Sequence, residues 1–315
     1  MKKKKKRAKA VPAIMTAAAM LYGCASERTL PELYEPTERN KAVVTEMLDE
    51  KRGILPVPKR LGEGTLSVEA LEVGKADAIL IRTERYNILV DTAQSSAAKR
   101  VKDYLLSLGI EKIDYLIITH FDKDHVGGAA KLLKSIRADN IIQADYEGDS
   151  EVYKKFKERA LEQGVEPVRL RESMSFEADG AHFTLYPTKM KVPKDDDNNY
   201  SIVMTIEHGN NRFLFTGDAE EERITEILGY NLGEFDYIKM PHHGAYENSL
   251  PALLKSVKAK YAVICDSNKE SAEKKTLSAL AKTGTRVFET KHGSVCALSD
   301  GTSIKVEYNT GVLGR

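Results

Sequence analysis

From Leu66 onward the chain alternates short apolar runs with amphipathic stretches. Leu66 to Val73, Ala78 to Ile81 and Asn87 to Val90 are rich in β-branched and aliphatic residues and are bounded by turn formers, so they read as strands. A helix is predicted near Ser95 to Leu108, then a buried strand at Asp114 to Ile118, apolar positions at helical spacing over Ala129 to Ile136, a strand at Asn140 to Ile142 and a charged helix over Ser150 to Gln163. The second half continues with strands at Val168 to Phe176 and Ala181 to Tyr186. Tyr200 to Glu207 and Arg212 to Thr216 are joined by His208-Gly209-Asn210-Asn211, a hairpin signal because Gly and Asn accept positive φ. Helices are predicted at Glu220 to Leu228, Leu250 to Val257 and Lys275 to Lys282. Strands are predicted at Phe235 to Met240, Tyr261 to Cys265, Arg286 to Glu289, Ser294 to Ser299 and Ser303 to Tyr308. Strands first, then strands alternating with helices, describe an α/β protein.

Polar residues recur at one kind of place in this pattern. Asp91, the stretch Thr119-His120-Phe121-Asp122-Lys123-Asp124-His125-Val126-Gly127-Gly128, Gly217-Asp218 and Pro241-His242-His243-Gly244 each follow an apolar strand directly. Strand ends of one polarity lie along one edge of a packed sheet, where open α/β architectures bind ligands. Two imidazoles and two carboxylates within six positions converge without a long search of backbone conformations, as a metal site requires. Imidazole with carboxylate suits Zn²⁺ or Mn²⁺, and Asp122, an oxygen donor where a third imidazole would be softer, moves the preference toward the harder ion. The chemistry such a set serves is hydrolysis at a two-metal centre. His182, opening a strand, and His208, in a hairpin turn, read as satisfied or solvated histidines.

The start of the chain differs from its body. Lys2 to Lys6, Arg7 and Lys9 precede an apolar run, Ala10 to Leu21, too short to remain as a membrane span, so residues 1–23 are expected to be an export signal. Leu21-Tyr22-Gly23-Cys24 resembles a bacterial lipobox, which implies cleavage before Cys24 and lipid attachment to its thiol. Residues 24–62, with Pro31, Pro36, Pro56 and Pro58 and one helix near Glu38 to Lys51, read as a tether and lead-in, and residues 63–315 as the functional domain. The expected location is therefore extracytoplasmic, on the membrane. The 315 residues carry a net charge of +1, and the basic start alone carries +7, which leaves −6 for the remainder. That balance argues against a broad basic field for nucleic acid, though not against a local groove. With 42% hydrophobic residues the chain is neither disordered nor fibrous, and Cys24, Cys265 and Cys296 form no disulfide framework.

Taken in order, several segments resemble the metallo-β-lactamase superfamily, and within it the β-lactamase-like domain of ComEC-type DNA-uptake proteins. They are Val73-Gly74-Lys75-Ala76-Asp77-Ala78, Leu89-Val90-Asp91-Thr92, the HxDxDHxGG pattern from His120 to Gly128, Asn198-Asn199-Tyr200-Ser201, Phe215-Thr216-Gly217-Asp218-Ala219, Lys239-Met240-Pro241-His242-His243-Gly244 and Ser299-Asp300-Gly301. The resemblance implies a four-layer αββα sandwich holding two divalent ions. His120 and Asp122 would serve one ion, Asp124 and His125 the other, Asp218 would bridge, and either His242 or His243 would complete the second site. Asn198 would lie where many members carry a further histidine. The chain departs from the pattern at Asn268 to Lys275, in place of a Gly-His-Pro, at Glu289-Thr290-Lys291, in place of Arg-Thr-Asp, and at Ala245, in place of serine. These differences fall on the substrate side.

The expected activity is that of an exported hydrolase acting through a dinuclear metal-activated hydroxide. A phosphodiester or nucleic acid is the leading substrate, with Asp124 and Lys239 as catalytic residues and Asn198 and Lys291 on the substrate side. Two alternatives stand beside it: a lactone or carboxylic-ester hydrolase, and a non-catalytic tethered binding protein.

Overall fold

The structure is a computed structural model that describes residues 60–193 and 196–309. The export signal, Cys24 and the helix expected near Glu38 to Lys51 lie outside the described residues. Among the described residues fifteen strands form two sheets. In chain order they are β1 (Leu66–Ala70), β2 (Ile79–Arg82), β3 (Asn87–Val90), β4 (Lys112–Ile118), β5 (Arg137–Gln143), β6 (Val168–Arg169), β7 (Met174–Ala178), β8 (Ala181–Tyr186), β9 (Val203–His208), β10 (Asn211–Phe215), β11 (Tyr237–Lys239), β12 (Tyr261–Ile264), β13 (Arg286–Glu289), β14 (Ser294–Ser299) and β15 (Ile304–Asn309). The first sheet runs β15-β14-β1-β2-β3-β4-β5-β6 and the second β13-β12-β11-β10-β9-β8-β7. Six α-helices accompany them among the described residues: α1 (Ala98–Ser107), α2 (Ala129–Leu132), α3 (Glu151–Glu162), α4 (Glu221–Gly229), α5 (Leu250–Val257) and α6 (Lys274–Thr283).

Side-chain alternation along the strands stacks these elements into layers. Met204, Ile206, Phe213, Phe215, Tyr237 and Val263 join the core shared with the first sheet, whereas Val203, Leu214, Ile238, Ala262 and Ile264 pack with Ile224, Leu253 and Leu280 of α4, α5 and α6. On the other side Val101, Leu132 and Phe156 of α1, α2 and α3 pack with the first sheet. The result is the helix–sheet–sheet–helix sandwich expected. Among the described residues no helix is long and apolar enough to cross a membrane.

Two expected elements differ. Val168 to Phe176 is not one strand: β6 ends the first sheet and β7 begins the second, with exposed Arg171 and Glu172 at the crossing. A sandwich needs its chain to change sheets somewhere, and a charged pair that neither face can bury marks the place. Over Ala129 to Ile136 only four residues are regular helix, and the apolar stripe continues through turn bonds such as Ile136 N to Leu132 O, 3.0 Å.

Polarity fixes the site. β3 is parallel to β4, and β10, β11 and β12 are mutually parallel. Their C-terminal ends carry Asp91, His120, Asp218, His243 and Cys265 in turn, and the contacts among these residues gather them at one edge of the sandwich.

Candidate metal centre

The loop after β4 owes its shape to close backbone approaches. A Cβ on Gly128 would lie 2.1 Å from the Thr92 carbonyl oxygen and one on Gly127 2.0 Å from that of Lys123, so the glycines that close the motif admit no side chain. The facing loop after β3 is strained: Asp91 and Ala93 take φ of 57° and 58°. Thr92 N and Oγ1 both donate to the His125 carbonyl at 2.8 Å, tying the two loops together.

Each of three histidines has its Nδ1 committed outward. His125 Nδ1 donates to Asp91 Oδ2 at 2.8 Å, and His243 Nδ1 donates to the Cys265 carbonyl at 2.8 Å. Thr119 Oγ1 gives its only proton to Asp91 Oδ2 at 2.7 Å, so its 3.1 Å contact with His120 Nδ1 is a bond that the imidazole donates. This fixes all three tautomers with Nε2 facing inward, the arrangement of metal-ligating histidines with orienting partners. His120 Nε2 is buried and has no hydrogen-bond partner.

Carboxylates face these nitrogens. Asp218 Oδ2 lies 3.1 Å from His125 Nε2 and 3.0 Å from His243 Nε2, the two nitrogens are 3.3 Å apart, and Asp124 Oδ2 is 3.3 Å from His243 Nε2. Bonds of about 2.0–2.1 Å to a tetrahedral ion place neighbouring ligand atoms about 3.3–3.4 Å apart, so these spacings fit a Zn²⁺-sized cation. His120, His125 and Asp218 form an adjacent group of the same kind, with the His120 and His125 rings 4.0 Å apart. Asp122 Oδ2 is 3.8 Å from His120 Nε2, on a side chain 48% exposed. The buried orphan nitrogen, the inward tautomers and the mixed N/O donors all fit divalent metal.

The remaining expected residues are also placed. Lys239 is buried, and its three N–H groups are used by the Gly217 carbonyl at 2.9 Å, Asp218 Oδ1 at 3.2 Å and Asp77 Oδ2. Of the paired histidines, His243 enters the cluster while His242 turns to Glu220 Oε1 at 3.2 Å; both have positive φ, 51° and 42°. Asn198 donates to the same Glu220 at 2.7 Å. Lys291 is held by Asp266 Oδ2 at 3.1 Å and by Glu289, so Glu289 and Lys291 pair with each other.

Three residues at the cluster were not singled out from the sequence for a role. Asp77 receives Lys239 and lies 3.6 Å from His243 Nδ1. Ser201 Oγ accepts from Asp218 N at 2.9 Å and meets His120 Nδ1 at 3.4 Å. Arg223, fully buried, donates to the Ser201 carbonyl at 3.1 Å and so fixes that segment on α4. Asp77 and Ser201 stood within the resembling motifs, which was the available signal.

Burial opposes charge on every one of these groups, and the outcome depends on neighbours. His120 is pushed well below its ordinary pKa by burial and then by His125, leaving a neutral ligand. For His125 burial is outweighed by Asp218 and Asp91, which hold its pKa well up, and for His243 burial is outweighed by Asp218 and Asp124, which raise it to about 9. Asp218, despite burial, is held well below the carboxylate range by His125, His243 and Lys239. In the metal-free protein the imidazole protons thus stand where cationic charge is wanted, and a metal ion would displace them.

Comparisons with known proteins agree with this geometry. The family model described as the metallo-beta-lactamase superfamily matches residues 71–265. "Recombination protein 2" of Haemophilus influenzae is 30% identical over 211 residues, 65% of this chain and 25% of its own length. "ComE operon protein 3" of Bacillus subtilis is 25% identical over 246 residues, 71% of this chain and 31% of its own length. The matched part of the chain thus spans about a quarter to a third of these curated relatives. Among solved structures, the metallo-beta-lactamase fold protein YhfI from Bacillus subtilis aligns with a TM-score of 0.52 at 13% identity, covering 76% of this chain and 99% of that one.

Proposed function

The chain belongs to the metallo-beta-lactamase superfamily, and from that premise we propose that it is a metal-dependent phosphodiesterase or nuclease. The observation that carries the reading is the set of inward Nε2 atoms and carboxylate oxygens around Asp218 Oδ2, spaced as the ligands of a divalent cation. The relatives named for recombination and for the ComE operon favour a phosphodiester substrate over a lactone or carboxylic ester. We assign His125, His243, Asp124 and Asp218 to one ion and His120, Asp122 and Asp218 to a second, with Zn²⁺ or Mn²⁺ as the metal. Bound there, such ions supply an acidified water and neutralise charge developing on the phosphate oxygens.

The chain's own residues do the rest. Asp124 reaches the cluster through Oδ2 while its side chain stays 26% exposed, so it can accept a hydrogen bond from an incoming water. Its pKa is lowered: burial opposes, but His243 and His125 prevail, which suits a ligand and water-orienting acceptor rather than a resting store of protons. Lys239, with no donor left over, holds Asp218 and Asp77 in register and does not reach substrate. Asn198 and His242, both on Glu220, form the rim that a substrate would meet. The basic start of the sequence and Cys24 support export and lipid anchoring, with residues 63–315 as the working domain outside the cytoplasm.

Elemental analysis of the purified chain combined with turnover of bis-p-nitrophenyl phosphate, single-stranded DNA and a lactone panel tests the proposal. Metal bound with diester cleavage that disappears in Asp124→Ala is the expected result. Metal bound with no turnover on any substrate would leave a tethered binding protein instead, and lactone turnover alone would move the assignment to carboxylic esters.

A further inference from the structure

A second feature lies on the outer helical layer, between α5 and α6. Tyr246, Lys255, Lys274, Lys275, Ser278 and Lys282 are among the residues that line a cavity of about 650 Å³. Four lysines and no carboxylate surround it. None of the four forms an ion pair among the described residues, a state shared by other surface lysines such as Lys131, Lys134 and Lys189, so what sets these four apart is their convergence on one cavity free of carboxylate. The helical period explains the convergence, since Lys274, Ser278 and Lys282 recur at intervals of four along one face of α6 and Pro251 and Lys255 do so on α5. In a body whose charge beyond the basic start is −6, an uncompensated +4 in one concave place is a local inversion of field.

One end of the cleft is joined to the metal centre. Glu273 N, directly before α6, donates to the Gly244 carbonyl at 3.0 Å, and a Cβ on Gly244 would sit 2.7 Å from Ala272 Cβ, so α6 begins pressed against the turn that carries His243. Tyr246 lies at this end, with Lys275 Nζ 5.3 Å from its ring centre. The acids at this end, Glu247 and Glu273 with Glu220, Glu221 and Glu222 close to Glu247, do not line the cavity.

We propose that the α5–α6 cleft binds the phosphate backbone of a single nucleic-acid strand and leads it to the metal edge, with Tyr246 as a stacking surface for a base. A positive groove with an aromatic face is the chemistry that holds single strands without sequence preference. The inference rests on the phosphodiesterase reading for its direction, and it names the substrate class of that same site.

The test uses the metal-loaded full chain and a fluorescein-labelled phosphorothioate oligothymidylate, with binding followed by anisotropy across a KCl series. Four phosphate contacts predict a log–log salt slope of about −2.8, falling to about −1.4 when two are lost. Lys274→Glu/Lys282→Glu is expected to weaken binding at least tenfold at 100 mM KCl and to halve the slope. Lys99→Glu/Lys189→Glu, the same charge change elsewhere, is expected to stay within twofold of the natural chain. Lys255→Gln/Lys282→Gln, neutral exchanges at exposed positions, gives a second reading of about threefold should the reversal variant not fold. Equal binding by the cleft and control variants overturns the proposal. So does lysine-dependent capture of phosphatidylcholine–phosphatidylglycerol vesicles without oligonucleotide binding, which would make the cleft a lipid surface. Lysine-dependent binding by a chain that cleaves no diester sustains the cleft and removes the phosphodiesterase reading.

Discussion

The sandwich buries histidine at both ends, and two of the metal-edge histidines, His125 and His243, are shifted in the opposite direction to His208 at the far edge, whereas His120 is lowered as His208 is. β9 spans the two ends: Ser201, just before the strand, contacts His120 and Asp218, and His208, its last residue, is buried at the far edge. At the metal edge Asp218, Asp91 and Asp124 outweigh burial and hold His125 and His243 high. At the far edge His208 Nδ1 meets Ser299 Oγ at 2.7 Å, Asn211 also donates to that hydroxyl at 2.8 Å, and burial lowers the histidine to about 4 against the opposing charge of Asp300. Burial alone therefore does not mark a functional histidine. An excess of carboxylate around an inward Nε2 does.

The largest way to break this contrast is to remove the carboxylate that both groups at the metal edge share. Asp218→Ala strips the partner of His125, His243 and Lys239 together. Leaving buried charge uncompensated costs about 3–5 kcal/mol of metal-free stability, and metal affinity and turnover fall with the loss of the oxygen that both groups share. Equilibrium dialysis and diester turnover check it, and metal retained at full stoichiometry would refute the placement of Asp218 at the centre. Lys239→Met follows, because Asp77 and Asp218 would lose their internal cation. It should cost about 3 kcal/mol in metal-free urea melts and less once metal supplies part of the charge. An equal loss with and without metal would mean that Lys239 serves only packing.

Acidity then separates the two ends. The folded pKa of His208, about 4, lies below its ordinary 6.5, so its contribution is complete above about pH 6.5 and is lost as the pH falls toward 4. The folded value of His243 without metal, about 9, lies above 6.5, so its contribution is complete below 6.5 and is lost as the pH rises through 9. Each difference is worth at most about 3 kcal/mol at 1.36 kcal/mol per unit. Urea melts from pH 4.5 to 9.5 in chelator should show His208→Asn flattening only the acid limb and His243→Asn only the alkaline one. An acid limb unchanged in His208→Asn would undo the comparison.

Much of the clustering was legible in the chain because residues of the types that can hold a metal stand at strand ends. His120, Asp122, Asp124, His125 and Asp218 announced themselves by type and place, and the strand pattern located the edge that gathers them. Other features depended on three-dimensional neighbours. Both His242 and His243 follow the same strand, and the choice between them is made by a turn with two positive φ values. Asp77 is a lone acid until its backbone N–H bonds the Asp124 carbonyl at 3.1 Å across the edge. Glu289 and Lys291 read as altered substrate residues, yet their charges pair with each other. A one-dimensional pattern gives the residue type but not the partner that neutralises it.

Ser201 offers the finest probe, because it distinguishes the two halves of the metal edge from each other. His125 and His243 are oriented by a carboxylate and a carbonyl, whereas His120 rests on the hydroxyls of Thr119 and Ser201. Ser201 also holds Asp218 N, and Arg223 fixes the Ser201 carbonyl from inside α4. Outer partners of ligands typically change metal affinity by about 10–100-fold. Ser201→Ala should therefore weaken the ion proposed for His120 within that range and leave the one proposed for His125 and His243 nearly untouched, which two-step metal titration by calorimetry resolves. Arg223→Met, acting on the same segment from the helix side, should repeat the effect together with a loss of stability. If both ions weakened equally in Ser201→Ala, the hydroxyl would be acting through Asp218 alone, and the two halves would be a single unit held from one point.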